Sequence, residues 1–336
     1  MFPSDMILGI FLISQFSIGI IGNMLLFLSS VYTFLAQHYL KKSLDSILMH
    51  LTMANTLTIV FTLIPGIIST FGVRHFFSDD DCKAVLYIYR VTRGVSIFTT
   101  SFLSTFQAIT ISPNNSKWAW LKPKLSTWTP PFFLFSWLIN MLIYTEIIEY
   151  VIAKNYSSHV GQKYFHAYCQ IKQYGDENSW SFLIVILTRD LLLVVLMMST
   201  SLYMVSLLCR HRSRTRHVHS HRLSSQPSPE TKATHSILLL VSCFVFFYWL
   251  NNLFTLYRFY MPEKISRLQG INAILSSCYP TISPFILMRN NRIILPFTLS
   301  LSMVRSTCIQ NAFSSWSEPH IRPLPCSEWY RRCTLY

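Results

Sequence analysis

Charged residues are scarce in this sequence. Asp, Glu, Lys and Arg together make up 12% of its 336 residues, against about 25% in soluble globular proteins. Hydrophobic residues make up 51%. This shortage of charge excludes an ordinary soluble protein and indicates a chain whose length is taken up by membrane spans and short loops.

Patterns that mark an enzyme are also missing. The sequence has no His-Glu-x-x-His helix and no Gly-x-Ser-x-Gly turn, so an enzyme is the least favoured class and we expect no cofactor. A retinal pigment needs a Schiff-base lysine in its last span, and residues 268–288 contain no lysine. The lack of internal repeats disfavours a repeat-built transporter. His217, His219 and His221 could bind a metal ion, but a solvated basic loop is the favoured interpretation, and we expect no metal site.

Long apolar segments dominate what is present. A helix needs about 20 mostly apolar residues to cross a bilayer. The sequence therefore predicts an all-α membrane protein, a seven-transmembrane helix bundle, with spans at residues 6–34, 46–71, 84–112, 127–150, 179–209, 235–260 and 268–288. The segments outside them are a short N-terminus (1–5), short loops, a long outer loop (151–178), a basic loop (210–234) and a tail (289–336). The first span lacks a basic flank, which indicates a retained anchor helix rather than a signal peptide.

The basic residues predict the orientation of the bundle. Cytoplasmic loops of membrane proteins are enriched in Lys and Arg. The loops on one side, together with the tail, carry 17 of the 28 basic residues, and the loops on the other side carry 5. The N-terminus is therefore expected outside and the C-terminus in the cytoplasm. The basic surplus then faces the anionic inner leaflet of the bilayer, so nucleic acid is not needed to explain it.

Two features of the predicted outer side concern covalent modification. Asn155-Tyr156-Ser157 matches the pattern for N-glycosylation, which predicts a glycan on Asn155. The same pattern at Asn114 falls on the predicted inner side, so it also arises by chance. Of the eight cysteines, Cys82 and Cys169 are the two expected on the oxidising side, where a disulfide between them would tie the third span to the long outer loop.

Charged residues within the spans point to the interior of the bundle. A buried arginine costs several kcal/mol unless it faces the bundle interior, water or an acidic partner, so the third span, with Arg90 and Arg93, is expected at the centre. At 1.5 Å per residue, Arg93 and Asp190 both lie ~16 Å from the outer surface. They could anchor a ligand in an apolar cavity or form a structural ion pair, and Arg189 and Asp190 could also pair with other groups. Our candidate ligand-binding residues are Arg90, Arg93, Asp190 and Trp249.

Three stretches of the sequence resemble the vomeronasal type-1 receptor family. They are RGVSI at 93–97 with LSTFQAITISP at 103–113, SPETKAT at 228–234, and SSCYPTISPFILM at 276–288. The resemblance runs from about residue 20 to residue 290, and the tail beyond about residue 304 matches nothing in the family. These stretches are long and distinctive, so the resemblance is specific to that family.

The resemblance implies a chemosensory G-protein-coupled receptor of the plasma membrane. Such a receptor binds a pheromone or another small semiochemical in the outer half of the bundle and activates G proteins of the Gi/Go class. An outer disulfide and a glycan in the second outer loop are also features of the family. The residues then expected to face the G protein are Thr110, Ser112, Arg210, Arg212 and Lys232.

Several hallmarks of the wider rhodopsin-like superfamily are absent. Thr110-Ile111-Ser112 stands where an Asp-Arg-Tyr triplet is usual, Asn55 stands where a sodium-binding Asp is usual, and PTISP at 280–284 replaces Asn-Pro-x-x-Tyr. These departures are normal for vomeronasal type-1 receptors, but they leave the activation switch unidentified. The alternatives are a receptor of another chemosensory family, such as a bitter-taste receptor, or a non-signalling remnant of the family.

Overall fold

The computed structural model describes residues 3–36, 39–71, 78–145, 151–153, 169–171, 176–218, 229–260 and 265–289. Seven helices account for most of these residues: α1 (Pro3–Ala36), α2 (Tyr39–Thr70), α3 (Asp79–Ile111), α4 (Lys122–Ile143), α5 (Asp176–Val218), α6 (Pro229–Tyr260) and α7 (Ile265–Met288). A short 3-10 helix, Ala119–Leu121, precedes α4. Strands β1 (Val151–Ala153) and β2 (Cys169–Ile171) pair antiparallel, with Val151 opposite Ile171.

Six of the seven described helices are long and apolar enough to cross a membrane, and α4 is the exception. With 22 residues, α4 is about 33 Å long, but Lys122, Lys124, Pro130 and Pro131 lower its apolar character. The prediction of an all-helical membrane bundle is confirmed for the described residues. The small sheet formed by β1 and β2, between α4 and α5, was not predicted.

The central helix of the described bundle is α3. It packs against α2, α4, α5, α6 and β1, and 18 of its 33 residues are buried. A capping box starts it: the Ser78 side chain accepts from the backbone N–H of Asp81, and the Asp81 carboxylate accepts from the backbone N–H of Ser78. The acidic first turn also suits the positive end of the helix dipole. This central position agrees with the one that the arginines predicted.

Polar side chains join the helices to each other. Helices in a bilayer associate through close packing and hydrogen bonds, because lipid is as apolar as their surfaces. Asn55 on α2 accepts a bond from Ser96 Oγ on α3 at 2.6 Å and donates one to Ser283 Oγ on α7 at 2.9 Å. His50 on α2 accepts from Trp137 Nε1 on α4 at 3.0 Å. Two side chains of α2 therefore bind α3, α4 and α7.

A proline in α7 creates a further bond between helices. Because Pro284 has no N–H, the carbonyl of Pro280 loses the donor that an ordinary helix would supply. Asn23 Nδ2 on α1 donates to that carbonyl at 2.9 Å. A membrane helix can tolerate proline when a neighbouring helix satisfies the freed backbone group in this way.

Gly94 lets α3 and α4 approach each other closely. A methyl group at position 94 would collide with the Asn140 side chain, whose Cγ lies 2.7 Å from the Cβ position. Asn140 has little room to move, because it is buried, donates to the Ser136 carbonyl and accepts from Arg189, both at 2.7 Å. The absence of a side chain at position 94 therefore sets the spacing of the two helices.

We predict that Gly94→Ala destabilises the protein by roughly 1–3 kcal/mol, because the added methyl forces α3 and α4 apart. Thermal unfolding of the purified protein in detergent measures this loss. Gly66→Ala is the matched control, since its new methyl would meet its nearest neighbours at 3.7 Å, and it should leave the midpoint unchanged. In an Asn140→Ala background the same Gly94 substitution should cost less. Equal midpoints for Gly94→Ala and Gly66→Ala would contradict the argument.

Candidate functional site

A cavity lies inside the bundle between α2, α3, α6 and α7. Its free volume is about 30 Å³, well below the ~300–1,000 Å³ that small-molecule sites usually have, so a ligand larger than water could enter only if the lining side chains moved apart. The side chains that line it are Thr58, Arg93, Ser96, Ile97, Phe244, Phe247, Tyr248, Asn251, Leu275, Ser276, Tyr279 and Pro280. Arg93 is the one charged side chain among these described residues. The cavity thus combines an apolar wall with a few polar groups and a single cation.

Neutral neighbours hold the Arg93 guanidinium at the cavity wall. Arg93 Nη1 donates to Tyr89 Oη at 2.9 Å. The Asn251 amide satisfies both its polar atoms when its oxygen accepts from Arg93 Nη2 and Nη1, at 2.9 and 3.1 Å, and its nitrogen donates to Ser276 Oγ at 3.1 Å and Asn272 Oδ1 at 3.3 Å. An arginine carries five N–H donors, more than these bonds use. Arg93 is therefore oriented by α3, α6 and α7 while retaining hydrogen-bonding capacity.

Arg189 and Asp190 form a salt bridge on α5. Asp190 Oδ1 accepts from Arg189 Nε at 2.9 Å and from Nη2 at 2.5 Å, and the two side chains are 10% and 11% exposed. Arg189 also donates to Asn140 Oδ1 at 2.7 Å and Tyr144 Oη at 2.9 Å, both contributed by α4 and the turn that ends it. Tyr248 Oη on α6 donates to Asp190 Oδ2 at 3.4 Å. The salt bridge consequently links α4, α5 and α6.

Arg93 and Asp190, which the sequence analysis places at the same depth in the bundle, have different roles in the structure. Arg93 lines the cavity. Asp190 forms its salt bridge with Arg189 and touches the cavity wall through Tyr248. Of the arrangements that the sequence left open, the structure has Asp190 paired with the adjacent arginine, and Arg93 supplies the cation of the cavity.

The other two candidate ligand-binding residues lie elsewhere. Arg90 Cζ is 5.8 Å from the centroid of the Tyr89 ring, and Arg90 does not line the cavity described above. Trp249 is 58% exposed on the outside of α6, away from the cavity lining. Of the four candidates, Arg93 therefore lines the cavity, and Asp190 accepts a hydrogen bond from Tyr248, which also lines it.

The residues proposed for covalent modification are Cys82 in the first turn of α3, Cys169 in β2 and Asn155. Cys82 is buried and disulfide-bonded. Cys169 belongs to β2 and faces Ala153 of β1 across the strand pair, and β1 packs against α3. The pairing of Cys82 with Cys169 remains a prediction. Asn155, the predicted glycosylation site, lies outside the described residues.

The residues expected to face a G protein belong to the end of α3, the end of α5 and the start of α6: Thr110, Ser112, Arg210, Arg212 and Lys232. Thr110 and Arg210 are exposed. Ser112 is buried, and its hydroxyl lies 2.9 Å from Tyr203 Oη on α5. This bond joins the residue that ends α3 to a position within α5. The side chains of Arg212 and Lys232 lie outside the described part of the structure.

Sequence reasoning missed several polar residues of this region. Asn251 and Ser276 hold or line the Arg93 side of the cavity, and Asn140 and Tyr144 hold Arg189. The asparagines carried a usable signal, because each interrupts a long apolar run, where a polar side chain is costly unless it has a function or a partner. Tyr144 carried no such signal, since the sequence has 17 tyrosines.

The bundle defines a multi-pass α-helical membrane protein with a small cavity, lined in part by polar side chains, between its helices. Comparison with known proteins narrows this class. Residues 6–300 match the vomeronasal organ pheromone receptor family. The chain is 34% identical over 290 residues to vomeronasal type-1 receptor 3 of Homo sapiens, a match that covers 86% of this chain and 92% of that receptor. It is 35% identical over 296 residues to vomeronasal type-1 receptor 94 of Rattus norvegicus, covering 86% and 87%.

The chain belongs to the vomeronasal type-1 receptor family. It is thus a chemosensory G-protein-coupled receptor and a multi-pass protein of the plasma membrane. The family resemblance seen in the three sequence stretches is confirmed. Membership also assigns the chain to a family of receptors, and no enzyme family is indicated.

We predict that Asp190→Asn destabilises the receptor by about 3–5 kcal/mol, because removing one partner of a buried salt bridge leaves the Arg189 charge uncompensated. Thermal unfolding in lipid nanodiscs measures the loss. The double variant Arg189→Gln/Asp190→Asn should be more stable than Asp190→Asn alone, since no buried charge is left. Arg210→Gln, at an exposed position of the same helix, is the control. A midpoint for Asp190→Asn equal to that of the control would refute the assignment.

Proposed function

We propose that this receptor binds a small semiochemical in the cavity lined by Arg93 and responds by activating a G protein of the Gi/Go class. The observation that carries the proposal is the cavity beside the central helix, because Arg93 is the one charged side chain among the described residues that line it. Family membership supports the signalling role. Ligand binding in the outer half of the bundle and G-protein contact at the cytoplasmic ends of the helices are the arrangement that we propose.

Arg93 would orient the ligand. Its guanidinium is already positioned by Tyr89 and Asn251, so little conformational entropy is lost when a ligand binds it. A carbonyl, hydroxyl or anionic oxygen on the ligand could accept the remaining N–H bonds. Phe244, Phe247 and Leu275 would cover its hydrocarbon part. This division between one polar anchor and an apolar wall is typical of small-molecule sites.

Two residues of the cavity lining could pass ligand binding on to the rest of the bundle. Ser96 donates to Asn55, which in turn donates to Ser283 on α7. Tyr279 on α7 lies 2.5 Å from the Thr100 hydroxyl on α3, measured between the two oxygens. A ligand that competes for either hydroxyl would weaken bonds that hold α2, α3 and α7 together. We propose this rearrangement as the first step of activation.

The proposed topology places the N-terminus and the start of α3 outside the cell. It also counts α4 as a span, the fourth along the chain, which brings the number of spans to seven. A disulfide at Cys82 supports this, because disulfides persist in oxidising compartments. The buried face of α4, with Leu125, Thr129, Ser136 and Asn140, and its exposed apolar residues on the opposite face are what a spanning helix at the edge of a bundle requires. In this topology Cys169 is the proposed partner of Cys82, and Asn155 carries the proposed glycan.

We expect cells that express an N-terminally tagged receptor to activate Gi/Go when challenged with fractionated secretions and panels of volatile compounds. Live-cell labelling of the tag scores surface expression in parallel. Toxin inactivation of Gi/Go should abolish the response. A response that survives the toxin would contradict the coupling proposal, and silence of surface-positive cells across all fractions would favour a non-signalling remnant.

The same assay tests the cavity. Arg93→Gln should lower the apparent ligand affinity by at least roughly tenfold, because it removes one charge-assisted hydrogen bond worth about 1.5–3 kcal/mol, and Arg93→Lys should recover part of the loss. Arg90→Gln, one helical turn away and outside the cavity lining, is the matched control and should respond normally. An unchanged response of a surface-expressed Arg93→Gln receptor would exclude Arg93 as the anchor. Loss of surface protein in Arg93→Gln alone would indicate a structural role instead.

The proposed disulfide predicts equal effects from its two ends. Cys82→Ser, Cys169→Ser and the double variant should all lower surface expression to the same extent, because each removes the same bond. Surface labelling measures the fraction exported, and Cys243→Ser, which removes a free cysteine, is the control. A double variant that is clearly worse than either single variant would show that Cys82 and Cys169 do not pair with each other.

A further inference from the structure

The outward face of α4 changes in character along its length. Exposed side chains recur at steps of three and four residues along one stripe, which begins in the 3-10 helix before α4: Trp120, Lys124, Trp128, Pro131, Phe135, Leu138 and Leu142. The half of the stripe nearer the end of α4 is purely apolar. The half nearer its start alternates tryptophan with lysine. A helix surface of this kind matches a bilayer in which the apolar half meets lipid tails and the other half meets head groups.

Six residues around the start of α4 form what we term the α4 patch: Lys117, Trp118, Trp120, Lys122, Lys124 and Trp128. The three tryptophans are 51%, 57% and 50% exposed. They do not fill the protein core, because the opposite face of α4, with Leu125 and Thr129, is the buried one. Large aromatic side chains left at the surface beside lysines need a partner other than the bundle itself.

The arrangement of charge within the α4 patch indicates an anionic partner. Lys124 Nζ lies 5.0 Å from the centroid of the Trp120 ring, and Lys122 Nζ donates to Asn114 Oδ1 at 3.1 Å. Neither partner is a carboxylate, so neither contact neutralises the charge of the lysine. The sequence from Cys82 to Thr145 contains no Asp or Glu, so this part of the chain brings no carboxylate of its own to the lysines.

We infer that the α4 patch binds the head group of an anionic phospholipid of the cytoplasmic leaflet, with an acyl chain lying along the apolar half of the stripe. The leaflet assignment rests on the topology proposed above. Tryptophan is enriched at the level of lipid head groups, and lysines next to the inner leaflet attract anionic lipids. Lysine stems can lie along apolar surface while their ammonium groups reach the phosphate.

A cytoplasmic protein fits this surface less well than a lipid. The α4 patch continues directly into the apolar stripe of Phe135, Leu138 and Leu142, and a water-soluble partner could not follow that stripe. The exposed residues that we propose for G-protein contact, such as Thr110 and Arg210, belong to other helices. A lipid covers both halves of the α4 stripe at once, with its phosphate at the lysines and its tail on the apolar residues.

Quenching of tryptophan fluorescence by brominated lipids tests the inference on the full-length receptor in nanodiscs. Brominated phosphatidylserine at a low mole fraction in unlabelled phosphatidylcholine should quench more than the same fraction of brominated phosphatidylcholine. Each lysine near an anionic surface strengthens association roughly fivefold, so the triple variant Lys117→Gln/Lys122→Gln/Lys124→Gln should reduce the preference for phosphatidylserine at least roughly tenfold. The triple variant Arg210→Gln/Arg212→Gln/Lys232→Gln is the matched control and should keep the preference.

Two outcomes would overturn the inference. Equal quenching by both brominated lipids in the unmodified receptor would show that the α4 patch does not select anionic lipid. Retention of the lipid preference in the lysine variant, together with loss of its G-protein activation, would identify the patch as a protein contact. The leaflet is tested separately: Asn115→Cys should react with an impermeant maleimide only in permeabilised cells. Labelling of intact cells, beyond that of the unsubstituted receptor, would refute the topology while leaving the lipid measurement valid.

Discussion

The carboxylate of Asp190 and the guanidinium of Arg189 meet in the interior of a largely apolar helix bundle. Neither charge is stable there alone, because the surrounding protein and lipid do not solvate ions as water does. Three helices share the cost: Asn140 and Tyr144, on and just after α4, accept from Arg189, and Tyr248 on α6 donates to Asp190. The positions of α4, α5 and α6 at this level follow from one salt bridge and the groups that surround it.

Neutral hydrogen bonds perform the corresponding task between α1, α2, α3 and α7. Asn55 replaces the carboxylate usual in rhodopsin-like receptors, and its amide is satisfied by Ser96 and Ser283. An amide needs no counter-ion, so these helices are joined without any bound charge. Because Ser96 also lines the cavity, the bonds that hold the helices together lie next to the ligand site that we propose. The salt bridge and its partners thus connect α4, α5 and α6, whereas neutral hydrogen bonds connect α1, α2, α3 and α7.

Much of this architecture follows from the sequence, and some of it could not. Apolar length predicted the membrane helices, and the cost of burying Arg93 predicted the central place of α3. The salt bridge of Asp190 with Arg189 was harder to predict, because adjacent residues of a helix point about 100° apart and only the long arginine side chain can turn back to its neighbour. Trp249 was assigned to the ligand site although it faces outward. In a helix that is apolar on nearly every side, sequence spacing does not say which side faces the bundle.

The arrangement of the cavity wall bears on how such a receptor could change its ligand over evolutionary time. Phe244, Phe247 and Leu275 line the cavity but take no part in the bonds around Asp190. Exchanges among apolar residues of similar volume usually cost less than about 1.5 kcal/mol, whereas breaking a buried ion pair costs several. Substitutions in the wall can therefore alter the shape of the proposed ligand site while the helices keep their positions. A gene copy freed by duplication would have a short mutational route to a new odour specificity.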